Sequence, residues 1–181
     1  MNNYGIDIWA DENFFIEDGR VKINHGCKPS LIDIVKEVRN DGFKGPLTLR
    51  FPHLTTKQIS TLYSKFNNSI EEYEYTGSFN AVFPLKVNQY PNFLQPLINE
   101  AQKYNYGLEA GSKAELIIAM AYNNENAPIT VNGFKDKEMI HLGFIAQQMG
   151  HNVTLTIEGL NELNTIIEVS KETNLPCPDI G

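Results

Sequence analysis

Lys86 is the residue whose type and position most clearly indicate chemistry. It follows the apolar segment AVFPL at residues 81–85 and precedes Val87. We expect an ammonium group at the end of an apolar strand to be partly desolvated, which favours the neutral amine that a Schiff-base lysine requires. A second interpretation stays open, in which the stem of Lys86 packs against the protein and its ammonium group reaches water.

Other polar side chains stand at the ends of other predicted strands, namely Arg50, Glu109, Asn132 and Glu158. The carboxyl ends of parallel strands meet at one edge, where α/β proteins place their sites. Glu109 could orient a cofactor or a lysine there, or simply face the rim. Ser112 and Glu115 fit a capping box, which explains both residues structurally.

The elements that must position these residues follow from apolar periodicity. The predicted strands are residues 46–51, 79–87, 106–110, 128–132 and 153–158. Predicted helices begin after Ser30, at a capping box at residues 55–58, at Pro91, after Ser112 and after Asp136, and a further helix follows the last strand.

Five successive strand–helix units predict a parallel sheet with right-handed crossovers. Both a doubly wound sheet and a (β/α)8 barrel fit this pattern. A barrel needs eight units and typically about 250 residues, whereas the chain has 181. Residues 174–181 are typical of the approach to another strand. We therefore expect an α/β fold, either an open sheet with uncovered edges or only part of a barrel, in a segment of a longer polypeptide.

The first 25 residues differ from the rest of the chain. Residues 4–9 alternate in polarity like a strand, and Asp18 and Gly19 separate two apolar runs, which predicts a hairpin. We predict an antiparallel β-element at residues 1–25, followed by the strand–helix part at residues 26–181, which would be the first part of the barrel if the chain forms one.

Composition excludes several classes of function. Fifteen Lys and Arg against 22 Asp and Glu give a net charge of −7 without a basic cluster, which disfavours binding to nucleic acid or to an anionic membrane. No apolar stretch approaches the ~20 residues of a membrane span, and the first residues lack the pattern of a signal peptide.

Cys27 and Cys177 lie far apart, which favours a reducing cytoplasm. The histidines lack metal-ligand spacing, and we predict no metal ligands.

Five segments together resemble the biosynthetic arginine decarboxylases of bacteria and plants. They are YGIDIW at residues 4–9, LRFP at 49–52, FPLKVNQ at 83–89, GLEAGSKAEL at 107–116 and NGFKD at 132–136. The resemblance runs nearly from end to end, and the segments around Lys86 and Glu109 are its most specific parts.

This resemblance implies a pyridoxal-phosphate enzyme of the alanine-racemase-like barrel class, in which the N-terminal strands join a β-domain. Lys86 would hold pyridoxal 5'-phosphate as an aldimine, and Glu109 would help to position the lysine or the cofactor. The implied reaction converts L-arginine to agmatine and carbon dioxide in polyamine and spermidine biosynthesis. The resemblance also implies a requirement for Mg²⁺ and a homo-oligomer with shared active sites.

Because that family is several times longer, we expect this chain to be an N-terminal part that is inactive alone. Its phosphate-binding and substrate-binding groups would lie further along the polypeptide. Two alternatives stay open at this point. One is a related decarboxylase that acts on ornithine or diaminopimelate, and the other is a non-catalytic regulatory or binding protein derived from such a barrel.

Overall fold

The computed structural model describes residues 5–181, which form two compact units. The first unit ends at Arg50 and the second is Phe51–Gly181. The strands are β1 (Phe14–Glu17), β2 (Arg20–Ile23), β3 (Val82–Pro84), β4 (Gly107–Ala110), β5 (Pro128–Val131), β6 (Asn152–Leu155) and β7 (Asp179–Ile180). The α-helices are α1 (Ile6–Trp9), α2 (Leu31–Asn40), α3 (Pro52–Glu72), α4 (Pro91–Ala101), α5 (Lys113–Tyr122), α6 (Lys137–Gln148) and α7 (Leu160–Glu172). Two 3₁₀ helices occupy Leu85–Val87 and Gln102–Tyr104.

The first unit contains the predicted hairpin. Strands β1 and β2 pair antiparallel, with Glu17 opposite Arg20. Between them Asp18 and Gly19 have φ angles of 52° and 71°, the left-handed conformation that a two-residue hairpin turn of matching twist requires. Helix α2 follows, and the Ser30 side chain caps it by accepting a hydrogen bond from the Asp33 N–H.

The predicted strand at residues 4–9 is wrong. Residues Ile6–Trp9 form a short helix, and Tyr4 lies outside the described residues. Ile6 and Ala10 are buried whereas Ile8 is 90% exposed. Burial four residues apart is the spacing of a helix, so the alternating sequence pattern did not correspond to the buried face.

A parallel sheet dominates the second unit. Its strand order is β3-β4-β5-β6-β7, every pair is parallel, and helices α4 to α7 connect successive strands. A doubly wound sheet reverses its strand order at a switch point, whereas the wall of a (β/α)8 barrel runs in sequence order. The structure therefore confirms an α/β fold with the sheet of a partial barrel.

The predicted first barrel strand, at residues 46–51, is wrong. Half-buried and exposed side chains alternate along it, but it pairs with no other strand among residues 5–181, and the sheet begins only at β3. The predicted capping box at residues 55–58 is also wrong, because α3 begins three residues earlier, at Pro52. Proline suits the first turn of a helix, since its missing N–H would have no helical partner there. The Thr56 hydroxyl donates instead to the His53 carbonyl group.

The core of this unit lies between the sheet and its helices. Leu85, Leu108, Ile129, Phe144 and Leu155 are completely buried, and burial of each such side chain contributes about 1.5–3 kcal/mol. Within residues 5–181, none of the helices is both long and apolar enough to cross a bilayer. The core fixes the strand ends, and the candidate site lies at their carboxyl ends.

Candidate active site

A cleft of about 320 Å³ lies at the carboxyl ends of strands β3 to β6. Its lining brings together Lys86, Glu109, Asn132 and Glu158, four of the strand-end residues singled out in the sequence. Arg50 belongs to the first unit, and the strand that it was expected to end does not form. The other lining residues are Gly111, Ser112, Glu115 and Gly133.

Lys86 lies in the 3₁₀ turn that follows β3. Its neighbour Leu85 is completely buried and anchors the turn in the core. The parallel register places Pro84 opposite Glu109. Lys86, two positions after Pro84, therefore reaches the same rim, where its Nζ atom lies 3.8 Å from Oε1 of Glu109.

The expected desolvation of Lys86 is wrong for this structure. Its side chain is 67% exposed, whereas that of Glu109 is 15% exposed. The physical reason is the position of β3 at the edge of the sheet, since among residues 5–181 no strand pairs with its other side. An ion pair this exposed contributes about 0.2–1 kcal/mol, so it adds little to the stability of the fold.

Glu115 behaves differently from the predicted capping box. One half is present, because the Ser112 hydroxyl accepts a hydrogen bond from the Glu115 N–H at 3.3 Å. The Glu115 carboxylate bonds elsewhere. Its Oε2 atom accepts from the Gly111 N–H at 2.7 Å, and its Oε1 atom accepts from the side-chain amide of Gln89 at 2.9 Å.

A second network crosses the rim between β5 and β6. The Glu158 carboxylate accepts a hydrogen bond from the Gly133 N–H at 3.0 Å. Behind it, the completely buried ammonium group of Lys135 lies 2.9 Å from Glu162 and donates to the Gly133 carbonyl group. Sequence reasoning missed Lys135 and Glu162, because they lie 27 positions apart in the chain and no local pattern links them.

The environment of Glu162 shifts its titration. Desolvation by burial raises the pKa of Glu162, but hydrogen bonds from the Glu158 and Lys135 N–H groups and from the Lys135 ammonium group lower it and together outweigh the desolvation. The net pKa lies below the ordinary value. Glu162 therefore keeps its charge beside Lys135, and both loops at this part of the rim are held by charged hydrogen bonds.

The cleft lining carries three carboxylates, Glu109, Glu115 and Glu158, against the single ammonium group of Lys86. A primary amine beside a carboxylate can bond covalently to a carbonyl carbon while the acid orients it. For Mg²⁺ the fit is poor, because no group of three or more His, Cys, Asp or Glu within residues 5–181 could hold a metal ion.

Known proteins resemble this chain along its whole length. A biosynthetic arginine decarboxylase of Rhodopirellula baltica is 36% identical over 98% of the chain, and one of Prochlorococcus marinus is 35% identical over all of it. The crystal structure of the biosynthetic arginine decarboxylase SpeA from Campylobacter jejuni is 65% identical over all of the chain, with a TM-score of 0.95. The resemblance to biosynthetic arginine decarboxylases is confirmed.

These relatives are much longer than the chain. It spans 27% and 29% of the two curated relatives and 31% of the Campylobacter jejuni chain. A diaminopimelate decarboxylase of M. jannaschi is more distant, with 25% identity, a TM-score of 0.63 and 90% of this chain covered. No model of a known protein family matches the chain.

Proposed function

We propose that the chain supplies the lysine-bearing part of an arginine decarboxylase that uses pyridoxal 5'-phosphate. The reaction converts L-arginine to agmatine and carbon dioxide in polyamine biosynthesis. The observation that carries this proposal is the amine of Lys86 lying 3.8 Å from Glu109 at the mouth of parallel strands. The relatives named biosynthetic arginine decarboxylase support the choice of arginine. Their greater length supports a longer polypeptide, in which this chain is inactive alone.

The residues of the cleft fit one end of the cofactor. The exposed amine of Lys86 is free to bond to the aldehyde carbon, and the partly buried Glu109 holds the direction of that amine. The cleft does not fit the phosphate group of the cofactor, because the three carboxylates of the lining would repel it. We expect its donors in a part of the polypeptide outside residues 5–181, in agreement with a site that this chain only begins to build.

When bound, pyridoxal phosphate supplies an electron sink for the pair left as the α-carboxylate departs as carbon dioxide. Lys86 Nζ would be the attachment point, and the Glu109 carboxylate, with Oε1 3.8 Å from that nitrogen, would orient the amine by charge attraction. Glu158 stays directed along the rim by its bond to the Gly133 N–H. These groups orient the reacting atoms, which is the main contribution that a protein makes to cofactor chemistry.

The remaining expectations concern the whole polypeptide. We assign residues 1–25 to a β-domain, which the hairpin β1–β2 supports, and residues 26–181 to the first part of the barrel. The sequential parallel sheet supports the second assignment from Phe51 onward, whereas residues 26–50 belong to the first compact unit. The exposed free cysteines Cys27 and Cys177 support a cytoplasmic location. A homo-oligomer with shared sites and a Mg²⁺ requirement rest on the resemblance alone, and we assign no step to the metal.

Borohydride reduction of the cofactor-loaded full-length protein, followed by peptide mapping, tests the attachment point. We expect the label on Lys86 and its loss in Lys86→Ala. The matched control is Lys113→Ala, because Lys113 is also an exposed rim lysine but is paired with Asp136 and Glu138. A label on another lysine, or wild-type turnover in Lys86→Ala, would reject the proposal.

The alternatives predict other outcomes. The likeness to a diaminopimelate decarboxylase structure gives a second decarboxylase candidate, although its TM-score of 0.63 is well below the 0.95 of the arginine enzyme. Turnover of arginine, ornithine and diaminopimelate by the full-length protein should be compared. Faster turnover of either of the other two amino acids would exclude arginine as the substrate. A non-catalytic protein would turn over none of them.

A further inference from the structure

The carboxylate of Glu115 joins two loops of the rim. Its side chain belongs to a residue only 8% exposed, yet both of its oxygens have donors, the Gly111 N–H and the side-chain amide of Gln89. An ionised carboxylate only accepts hydrogen bonds, so Gln89 must turn its NH₂ group toward Glu115. Bonds of this kind to a charged and poorly solvated acceptor are stronger than bonds between neutral groups.

The two donors come from the loops that carry the candidate site residues. Gln89 lies three positions after Lys86 and two positions beyond the 3₁₀ turn Leu85–Val87. Gly111 follows the last residue of β4, the strand that contains Glu109. The Lys86 turn is therefore tied at both ends, by the buried Leu85 before the lysine and by the Gln89–Glu115 bond after it.

We infer that Gln89 and Glu115 are a positioning pair, which holds the turn of Lys86 in register with the strand of Glu109. Neither residue needs to touch the reacting atoms for this role. The pair sets where the backbone of Lys86 lies, and the backbone sets where its exposed amine can reach. The catalytic consequence of the pair rests on the proposed function, but the mechanical link does not.

Exchanging the two side chains tests the link. In Glu115→Gln one oxygen becomes an NH₂ group, so the side chain can still accept from the Gly111 N–H, but Gln89 must turn its carbonyl oxygen toward the new NH₂ group. A bond to a charged acceptor is thereby replaced by a weaker bond between neutral amides. In Gln89→Glu two carboxylates face each other. In the double variant Gln89→Glu with Glu115→Gln, the donor and the acceptor are restored with their direction reversed.

Amide hydrogen exchange of the full-length protein, read by mass spectrometry, is the primary measurement. We expect the peptide covering residues 85–90 to exchange about tenfold faster in each single variant and at nearly the wild-type rate in the double variant. The Gly111 amide should keep its protection in Glu115→Gln. Glu138→Gln is the matched control, since it removes one carboxylate from an exposed rim residue, and it should leave residues 85–90 unchanged.

Arginine turnover by the same variants is the second measurement. We expect kcat to fall about tenfold or more in the single variants with little change in KM, and to recover in the double variant. Unchanged exchange in the single variants, or a double variant as fast in exchange as either of them, would overturn the inference. If exchange follows the expected pattern while the wild-type protein decarboxylates none of the three amino acids, the positioning pair stands and the proposed function fails.

Discussion

Lys135 and Glu162 form a buried ion pair that joins the loop after β5 to the first turn of α7. The ammonium group is completely buried and lies 2.9 Å from Oε2 of Glu162, whose side chain is 10% exposed. Oε1 of the same carboxylate accepts from the Lys135 N–H at 2.8 Å, and Oε2 accepts from the Glu158 N–H at 2.9 Å. The pair thus fixes both backbone segments beside the candidate site, and its loss would move the rim.

Glu162→Gln should destabilise the protein by about 3–5 kcal/mol, because it leaves the buried ammonium group of Lys135 without a counter-charge. The free energy of unfolding in urea measures this effect. Glu168→Gln is the matched control, since it removes a carboxylate of α7 from an exposed ion pair with Lys137 of α6 and should cost no more than about 1 kcal/mol. Equal effects of the two substitutions would contradict a buried, energetically coupled pair.

The same pair predicts a pH dependence of stability. The folded pKa of Glu162 is lowered from an ordinary value of 4.5, so the folded state binds its proton less readily than the unfolded state does. The stabilisation that the ionised Glu162 carboxylate gives to the folded state is fully present above pH 4.5, and it is lost as the pH falls through the folded pKa. Thermal melts of wild type and Glu162→Gln across this range should converge toward acid pH. A difference between their midpoints that stays constant would refute the assignment.

Gly107 allows the close approach of β4 to β5. A Cβ atom at this position would lie 1.8 Å from the Pro128 carbonyl oxygen, a backbone atom that cannot move without shifting the strand. Gly107→Ala should therefore cost at least about 3 kcal/mol of folding free energy. Gly159→Ala is the control, because nothing lies within 4 Å of its Cβ position and its φ is −171°. Urea denaturation of both variants measures the two losses of stability. A similar loss in both would show that the steric contact with Pro128 is not the cause.

Glu109→Gln removes the charge beside Lys86 but keeps the shape of the side chain. If Glu109 orients the amine, kcat/KM for arginine should fall about tenfold or more in the full-length protein. The free energy of unfolding should change by less than about 1 kcal/mol, because the Lys86 partner is largely exposed. Wild-type values of kcat/KM in this variant would show that Glu109 does not orient the amine. A parallel loss of stability would give it a structural role instead.

Several elements could be predicted because local chemistry determines them. The hairpin follows from Asp18 and Gly19, and the starts of α5 and α6 follow from Ser112 and Asp136, whose side chains accept from N–H groups three positions ahead. The strand predicted at residues 46–51 was wrong for a non-local reason, since an alternating segment becomes a strand only where a neighbouring strand completes its hydrogen bonds. The strand predicted at residues 4–9 was wrong because the buried residues, Ile6 and Ala10, are four positions apart, which is the spacing of a helix.

The amino-acid sequence alone was sufficient to identify the α/β alternation and to place Lys86 and Glu109 near strand ends. The three-dimensional fold decided which atoms meet there. Pairing of Pro84 with Glu109 set the 3.8 Å approach of the amine, and the edge position of β3 left that amine exposed. The three-dimensional fold also brought Gln89 next to Glu115 and Lys135 next to Glu162. Periodicity records which side of an element is apolar, but contacts between distant residues depend on strand register, which arises only when the elements pack.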